Sequence, residues 1–600
     1  MAGLLSGASF EDRVETLFRA PLGERMALSP DGQRVAYTLQ AGGSLSLVMI
    51  DVEHGGAKRT VKLDPDRDEA PTAEATPTAL RFLRWASAGR LVFAPSERVV
   101  PLPPLTDKTG RTVPNPDGPT IVSPIMVVDS DGKQRGALVD AKDFMETPAE
   151  ARRTLGDLLR TPKQLAAARN EPVHWRMPHL DILGFLPGGK DQLVVQTHGA
   201  YSIPTQHLVD IRSGSVREFG GDWPTPPGEP QVFDWHRLKV VGERKDAARP
   251  ATTWRDDELG RVQRELETKF PRRAIEILDW SETRARVLFR VTGGSDTGRV
   301  FVLQRTEDLV LEIMRCTPWL TAAKLNDTRF FEFTAPDGAQ QSGYLTWPAK
   351  PRVTPPPLLV VFPAGFPGGA HPAFDPEAQV FADMGFVVAR LNHRCVAGVK
   401  AEDLTALRAA VDRVSVDDVR AAVDGIASRY PERAFDRRRV AALGRGFGGY
   451  LAVRALQLQP GMFRCAIAID APMDLRAWLQ STAAAGAAPA KAGRDIPAAL
   501  IEHAQTDWKK LSVLEQAEAL THPLLLMVEP GRSAAVDAST ESLRAQLQAL
   551  GRAPDHVGLE PGFAAARAAA RANAYRKAEE FLNVHLLGYG VKVGPAKEVE

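Results

Sequence analysis

The chain has 600 residues, which is too many for one hydrophobic core, so at least two domains are expected. Its 75 basic residues nearly balance 74 acidic ones, and this gives no reason to expect nucleic acid or an anionic membrane as a partner. The three cysteines, Cys316, Cys395 and Cys465, exclude a disulfide framework and allow one bridge at most.

The N-terminal sequence MAGLLSGASF has no basic region followed by a long apolar run, so it does not resemble a secretory signal. No stretch of about 18 uninterrupted apolar residues occurs elsewhere, and we expect no membrane partner. A cytoplasmic protein is the default expectation. A periplasmic or secreted protein whose signal peptide has been removed stays open as the alternative.

The first half of the sequence is predicted to consist of short strands joined by tight turns. Units of strand, turn and strand with alternating apolar residues recur at 26–40, 47–59, 80–97, 182–199, 206–219, 277–294 and 298–313. Recurrence without close identity is typical of a β-propeller with four-stranded blades, although the repeats are too degenerate to count. The Pro-rich stretch 101–124 and the helical pattern at 148–170 are predicted to be insertions between strands.

The pattern changes near residue 326 to an alternation of strands and helices. After a hairpin at 330–348 come strands at 358–362, 386–392, 439–444, 465–470 and 523–528. Helices are predicted between and after them at 375–385, 415–430, 448–459, 538–550 and 564–586. This alternation indicates a mostly parallel, doubly wound sheet. We therefore divide the chain into a β-propeller-like domain, 1–325, and a second domain, 326–600.

Four segments of the second domain point to a known family: FDPEAQVFADMGFVVARLNHR at 374–394, VDDVRAAVDGIA at 416–427, the run 436–475, and SVLEQAEALTHPLLLMV at 512–528. With these segments, residues 330–587 resemble the catalytic domain of the prolyl oligopeptidase family of serine peptidases, which includes dipeptidyl and acylaminoacyl peptidases. The resemblance implies an N-terminal β-propeller followed by an α/β-hydrolase domain.

The sequence LGRGFGGY, residues 443–450, matches the family's nucleophile motif Gly-x-Ser-x-Gly-Gly-Tyr except that Gly446 replaces the serine. Glycine has no side chain, so it cannot attack a carbonyl carbon. Pro363 stands where the family places a Tyr or His of the oxyanion hole, and it has no N–H to donate. The backbone N–H of Phe447 is the remaining oxyanion donor that the resemblance implies.

The resemblance places the other two members of the catalytic triad at Arg532 and Pro561, where the family has an aspartate and a histidine. Asp537, the carboxylate that follows Arg532, is expected to cap the next helix. His556 is the candidate for a displaced base. Because a triad acts as a unit, simultaneous Gly446, Arg532 and Pro561 predict a degenerate active site.

Two main functional hypotheses follow. The first is a catalytically inactive homologue that binds a peptide or protein at the interface between propeller and hydrolase domain. In it Arg445 and Arg532 would hold a carboxylate such as a peptide C-terminus, and Tyr450 would be a further contact. The alternative is an active serine-type peptidase or esterase that uses displaced residues, and a purely structural or assembly role is a third possibility. No metal-binding motif occurs, so no metal or cofactor is predicted, and the sequence favours no particular oligomeric state.

Overall fold

The computed structural model describes residues 9–41, 44–53, 58–63, 80–96, 98–100, 105–106, 112–113, 120–122, 124–133, 135–144, 179–186, 191–198, 205–221, 223, 226, 231–245, 251–293, 296–321, 324–363, 374–392, 401–484, 506–531, 533–560, 563 and 568–588. The predicted helical insertion at 148–170 and Cys395 lie outside these segments.

The first half of the chain forms a β-propeller, as the sequence predicts. After helix α1 (Phe10–Phe18), the first blade contains β1 (Met26–Leu28), β2 (Arg34–Ala41), β3 (Ser44–Asp51) and β4 (Arg59–Lys62). The second blade begins with β5 (Leu80–Ser87) and β6 (Arg90–Pro95). Two small antiparallel ribbons interrupt it: β7 (Arg98–Val100) with β10 (Thr120–Val122), and β8 (Leu105–Thr106) with β9 (Thr112–Val113). The blade ends with β11 (Ile125–Asp129) and β12 (Arg135–Val139).

Three further blades complete a five-bladed ring. The repeats in the sequence were too degenerate to give this number of blades. The third contains β13 (His179–Phe185), β14 (Gln192–His198), β15 (Thr205–Asp210) and β16 (Val216–Glu218). The fourth contains β17 (Gln231–Asp234), β18 (Lys239–Lys245) and β19 (Ala251–Trp254), followed by helix α2 (Asp257–Lys269). The fifth contains β20 (Ala274–Trp280), β21 (Arg286–Gly293), β22 (Asp296–Gln304) and β23 (Leu309–Arg315).

Every described blade is built from strands of its own part of the chain. The fifth blade is joined to the first by polar contacts. The carboxylate of Asp279 accepts a hydrogen bond from the Leu28 N–H at 2.9 Å, and Glu282 N–H donates to the Pro30 carbonyl at 2.8 Å. The ring therefore closes through side chains and turns rather than through a strand shared between its two ends.

The second half, called the hydrolase domain below, is built on one eight-stranded mixed sheet. Its strands are β24 (Asp327–Thr334), β25 (Gln340–Trp347), β26 (Pro357–Phe362), β27 (Val387–Asn392), β28 (Asp436–Arg445), β29 (Cys465–Ile469), β30 (Leu524–Val528) and β31 (Asp555–Gly558). Their order is β24-β25-β27-β26-β28-β29-β30-β31, and only the contacts that involve β25 are antiparallel. This is the sheet of an α/β hydrolase.

Helices cover both faces of the sheet: α3 (Pro376–Asp383), α4 (Ala401–Arg429), α5 (Phe447–Leu458), α6 (Leu475–Ala484), α7 (Trp508–Leu511), α8 (Ala534–Ala549) and α9 (Ala568–His585). One apolar core lies between the sheet and α4, α5 and α8, and the other lies between the sheet and α1, α3 and α9. No helix in the described segments is long and apolar enough to cross a membrane.

Helix α1 precedes the propeller strands in the chain but packs on the hydrolase domain. Its buried residues Val14 and Leu17 belong to the same apolar core as Phe381 and Tyr575, and Arg13 forms an ion pair with Asp383 at 2.8 Å. From α1 on the hydrolase domain, the chain therefore passes through the propeller and returns to the same domain. The division at 325/326 stays a prediction.

Candidate active site

The turn after the central strand β28 has the geometry of a nucleophile elbow. β28 ends at Arg445, α5 begins at Phe447, and Gly446 alone connects them with φ +54° and ψ −124°. The Gly446 N–H donates to the Ile469 carbonyl of the neighbouring strand at 2.8 Å, and the Tyr450 N–H donates to the Gly446 carbonyl at 3.1 Å. A side chain at this position would stand at the carboxyl edge of the sheet, where hydrolases of this fold hold their serine.

Three more glycines allow this turn because the backbone around them leaves no room for a Cβ atom. A Cβ on Gly444 would overlap the carbonyl oxygen of Gly448, and one on Gly448 would overlap the carbonyl oxygens of Phe362 and Pro363. On Gly449, a Cβ would lie 2.6 Å from that of Ala471. The close approach of the helix start to β26 thus depends on Gly448, and its approach to β28 and to the segment after β29 depends on Gly444 and Gly449.

The two aromatic residues of the motif hold α5 against the core. Phe447 and Tyr450 are fully buried, and their rings stack with centroids 5.5 Å apart. The Tyr450 hydroxyl donates to the Leu511 carbonyl at 2.7 Å. Tyr450 was predicted to contact a ligand. Its side chain instead has a structural role, because its hydroxyl is bonded to the backbone and the ring has no exposed surface.

Arg445 lies on the opposite face of the sheet from α5. Side chains alternate along a strand, so Arg445 follows Leu443 into the core that α3 and α9 cover. Its guanidinium carbon lies 4.8 Å from the centroid of the Phe563 ring, a cation–π contact. Phe563 is buried and lies two residues beyond Pro561. Arg445 thus contacts the loop in which the family's histidine would stand.

A buried carboxyl accompanies Arg445 on this face. The Glu377 carboxylate accepts a hydrogen bond from the Tyr575 hydroxyl at 3.1 Å. Burial raises the pKa of Glu377, and the nearby charge of Arg445 offsets only part of that effect. Arg445 therefore helps to compensate an acidic group in the protein, which limits how freely it can serve a ligand.

The loops expected to carry the acid and the base are described only in part, since Arg532 and Pro561 lie outside the described residues. The adjacent Gly531 N–H donates to the Asp537 carboxylate at 3.0 Å. Helix α8 begins at Ala534, and its N-cap is Ser533, whose hydroxyl accepts from the Val536 N–H. The prediction that Asp537 is the N-cap is wrong, because the helix starts four residues earlier than its apolar spacing indicated.

His556, the candidate displaced base, lies far from the elbow across the sheet. It is exposed on β31. Its register partners on the successive strands β30, β29 and β28 are Leu526, Ala468 and Gly444. Three strand spacings, about 14 Å in all, separate its backbone from that of Gly444. Partial burial and the charge of Arg544 on α8 lower the pKa of His556.

Asp470, a carboxylate that the sequence alone did not single out, lies at the same edge as the elbow. It follows Ile469 with φ +46°, a conformation that asparagine and aspartate adopt more readily than most residues. Its carboxylate accepts a hydrogen bond from the Glu529 N–H at 2.7 Å, and its own N–H donates to the Met527 carbonyl at 2.9 Å. Asp470 thus fixes the start of the loop that leads to Arg532.

The oxyanion side of the site includes Pro363, which directly follows β26 and whose carbonyl oxygen lies against Gly448. As a proline, it offers no N–H to a developing oxyanion. Within the described segments, no three His, Cys, Asp or Glu side chains come close enough together to hold a metal ion.

Comparison with known proteins identifies this domain. The model of the prolyl oligopeptidase family matches residues 372–555, a segment that contains the elbow and the strands on both sides of it. Over this segment, the hydrolase domain matches the prolyl oligopeptidase family. A rat acylamino-acid-releasing enzyme is 30% identical over 128 residues, which are 21% of this chain and 17% of that enzyme. The chain therefore matches less than a fifth of the length of this curated relative.

Two solved structures share the fold of this chain over both domains. The acylaminoacyl peptidase of Pyrococcus horikoshii superposes with a TM-score of 0.52 at 15% identity, covering 95% of this chain and 90% of that one. A puromycin hydrolase superposes with a TM-score of 0.54 at 16% identity, covering 98% of each chain. The combination of propeller and α/β-hydrolase domain is thus shared from end to end.

Proposed function

We propose that this prolyl-oligopeptidase-like protein is a pseudopeptidase that binds a peptide or protein without cleaving it. The observation that carries the proposal is Gly446, which stands at the nucleophile position of an otherwise well-formed elbow. With no hydroxyl or thiol there, no acyl-enzyme can form at that position.

The described surroundings of the elbow support a site without a usable base. His556 is about 14 Å across the sheet from the elbow strand, well beyond the roughly 2.6–3.2 Å that proton transfer requires. Asp470, which is nearer, accepts a hydrogen bond from the backbone of Glu529 and helps to shape a loop. We infer that the turn persists because α5 packs through it into the core, and not because it holds a nucleophile.

Binding of peptides is the part of the family's function that we propose to be retained. The rat relative is named for the release of acylamino acids, and we carry over to this chain only the binding of a peptide, without its cleavage. We place the ligand between the propeller and the hydrolase domain. We also propose a cytoplasmic location, in keeping with the free thiols of Cys316 and Cys465.

The test uses a fluorophosphonate probe, which labels an activated serine, together with acyl-peptide and ester substrates. Wild-type protein and Gly446→Ser are both expected to remain unlabelled and to show no turnover, because a serine without a base is a weak nucleophile. Gly461→Ser is the matched control: a Cβ atom at Gly461 would meet no other atom within 4 Å, so this variant adds a serine away from the elbow.

Labelling or turnover by the wild-type protein that His556→Ala abolishes would refute the proposal and establish an active hydrolase with displaced residues. Activity that appears in Gly446→Ser but not in Gly461→Ser would show that a usable base is already in place. In that case, glycine alone accounts for the loss of catalysis.

A further inference from the structure

The centre of the propeller contains a cavity that the elbow does not explain. It has a volume of about 560 Å³ and is lined by residues of the first, second, fourth and fifth blades. Such a volume accommodates a small-molecule ligand or a few residues of a peptide.

One end of the cavity lies where the chain enters and leaves the propeller. Its lining includes Glu24, Arg25 and Met26 at the start of the first blade, and Arg290 near the end of β21. At the same end, the N–H of Leu22, on the way in, donates to the carbonyl of Cys316, on the way out, at 2.6 Å. Both connections to the hydrolase domain start at this end, and from it the lining extends along β17 and β20 to Trp235 and Trp280.

One charged pair in the cavity is already complete. Arg84 donates to the Asp279 carboxylate at 2.8 Å, and Asp279 also accepts from the backbone N–H groups of Leu28 and Trp280. The two carboxylate oxygens of Asp279 therefore accept hydrogen bonds from three donors, and this arrangement holds Arg84 in place. This pair belongs to the framework of the ring.

A second group of charges in the cavity is rich in guanidinium groups. Arg244 and Arg290 both pair with the carboxylate of Glu276, at 3.7 Å and 3.4 Å, which are long for charge-assisted hydrogen bonds of about 2.7–2.9 Å. The Nε atom of Arg290 is buried and has no hydrogen-bond partner among the described residues. Arg25 is exposed at the same rim. Arg290 also donates to the Gly23 carbonyl at 3.4 Å, a second long bond. Because its bonds to Glu276 and Gly23 are both long, another carboxylate can compete with Glu276 for the Arg290 guanidinium.

Three aromatic rings form part of the remaining wall, which also includes Glu24 and Gln231. Phe233, Trp235 and Trp280 line the cavity, and Phe233 and Trp235 contact each other edge to face with centroids 5.3 Å apart. Ligand sites usually combine apolar walls with convergent polar groups, and in this cavity the charged and polar residues form the larger part of the lining. This lining suits a ligand that combines a carboxylate with an apolar or aromatic side chain.

We propose that this cavity binds a carboxylate of a peptide through Arg244 and Arg290, with an apolar side chain of the peptide against Trp235 and Trp280. The inference rests on the proposed peptide-binding function and names the charge and the position of its ligand. Glu276 occupies part of the same donor set, so it competes with the ligand.

The test measures binding of three peptides to the full chain by isothermal titration calorimetry. Acetyl-Ala-Ala-Phe carries an α-carboxylate, its C-terminal amide carries none, and acetyl-Ala-Glu-Phe-amide carries a side-chain carboxylate. Either carboxylate peptide is expected to bind about tenfold or more tightly than the uncharged amide, and the difference between the two identifies the source of the carboxylate. Added salt is expected to weaken this preference.

Variants with opposite expected effects on binding distinguish a loss of ligand recognition from a loss of folding. Arg244→Gln and Arg290→Gln are expected to weaken binding of the carboxylate peptide about ten- to a hundredfold, whereas Glu276→Gln is expected to tighten it by removing a competing acid. Arg212→Gln is the matched control, because Arg212 is an exposed arginine paired with Asp191 in the third blade, outside the cavity.

Each result decides a different question. Equal binding of all three peptides would overturn the carboxylate assignment but leave peptide binding intact. If none of the three peptides binds, this inference is overturned, and the result counts against the proposed function as well. Weaker binding in Glu276→Gln would also overturn it, since removal of a competing acid is expected to strengthen the binding of an anion.

Discussion

Replacing Gly446 by alanine tests whether the elbow still strains its backbone. The change adds one methyl group at φ +54° and ψ −124°, a region that residues with a Cβ atom seldom occupy. Holding alanine there costs about 1–3 kcal/mol, and the reduced freedom of the unfolded chain returns about 0.4–1 kcal/mol. The free energy of unfolding of the hydrolase domain should therefore fall by about 1–2 kcal/mol.

Differential scanning fluorimetry provides the assay. For a domain of this size, such a loss lowers the melting temperature by about 2–8 °C. Gly461→Ala is the control, since its new methyl group meets no atom within 4 Å, and it should melt close to wild type. Gly448→Ala should be far more damaging, because two backbone carbonyls occupy the space of its Cβ. A Gly446→Ala protein as stable as wild type would refute the reasoning about strain.

Three further predictions concern buried polar groups and thiols. Arg284 is 1% exposed and pairs with the buried Asp234 at 2.7 Å, and it also pairs with Asp256 and Glu258. Because those two acids remain, Asp234→Ala should cost about 1–3 kcal/mol in urea unfolding, and no measurable loss would contradict this. Burial would raise the pKa of Asp256, but its bonds to Arg284 and the helix N-terminus lower it to about 2; the stability that it contributes is present above about pH 4 and lost towards pH 2. Asp256→Asn should remove that part of the pH dependence. Burial raises the pKa of Cys465 to about 12, so at about pH 8 a disulfide reagent should modify it only after unfolding.

The architecture could be predicted because the pattern of apolar residues differs between the two halves of the sequence. Alternating apolar residues indicated the propeller hairpins, and buried strands between amphipathic helices indicated the doubly wound sheet. Four helices, α1, α2, α6 and α7, were missed. The first two have clear capping signals: Ser9 and Asp12 form a capping box before α1, and Asp256 caps α2. A short helix among strands has few apolar positions, so its cap is the stronger signal.

The site was predictable where it depends on local geometry. The match of residues 443–450 located the elbow, and only glycine could satisfy the overlaps at Gly444 and Gly448. The direction of Arg445 could also have been read from alternation with Leu443 along β28. The pairing of Arg445 with Phe563 and the distance of His556 depend on strand order, which no local pattern contains.

The packing of α1 on the hydrolase domain means that this domain is discontinuous in sequence. Val14 and Leu17 cover apolar surface of α3 and α9, including Phe381 and Tyr575, which a fragment starting at residue 326 would leave exposed to water. Such a fragment should aggregate on expression, whereas one that carries residues 9–19 on a linker should stay monodisperse. In topological terms, the propeller is a five-bladed insertion, tethered at both ends to the domain that it interrupts.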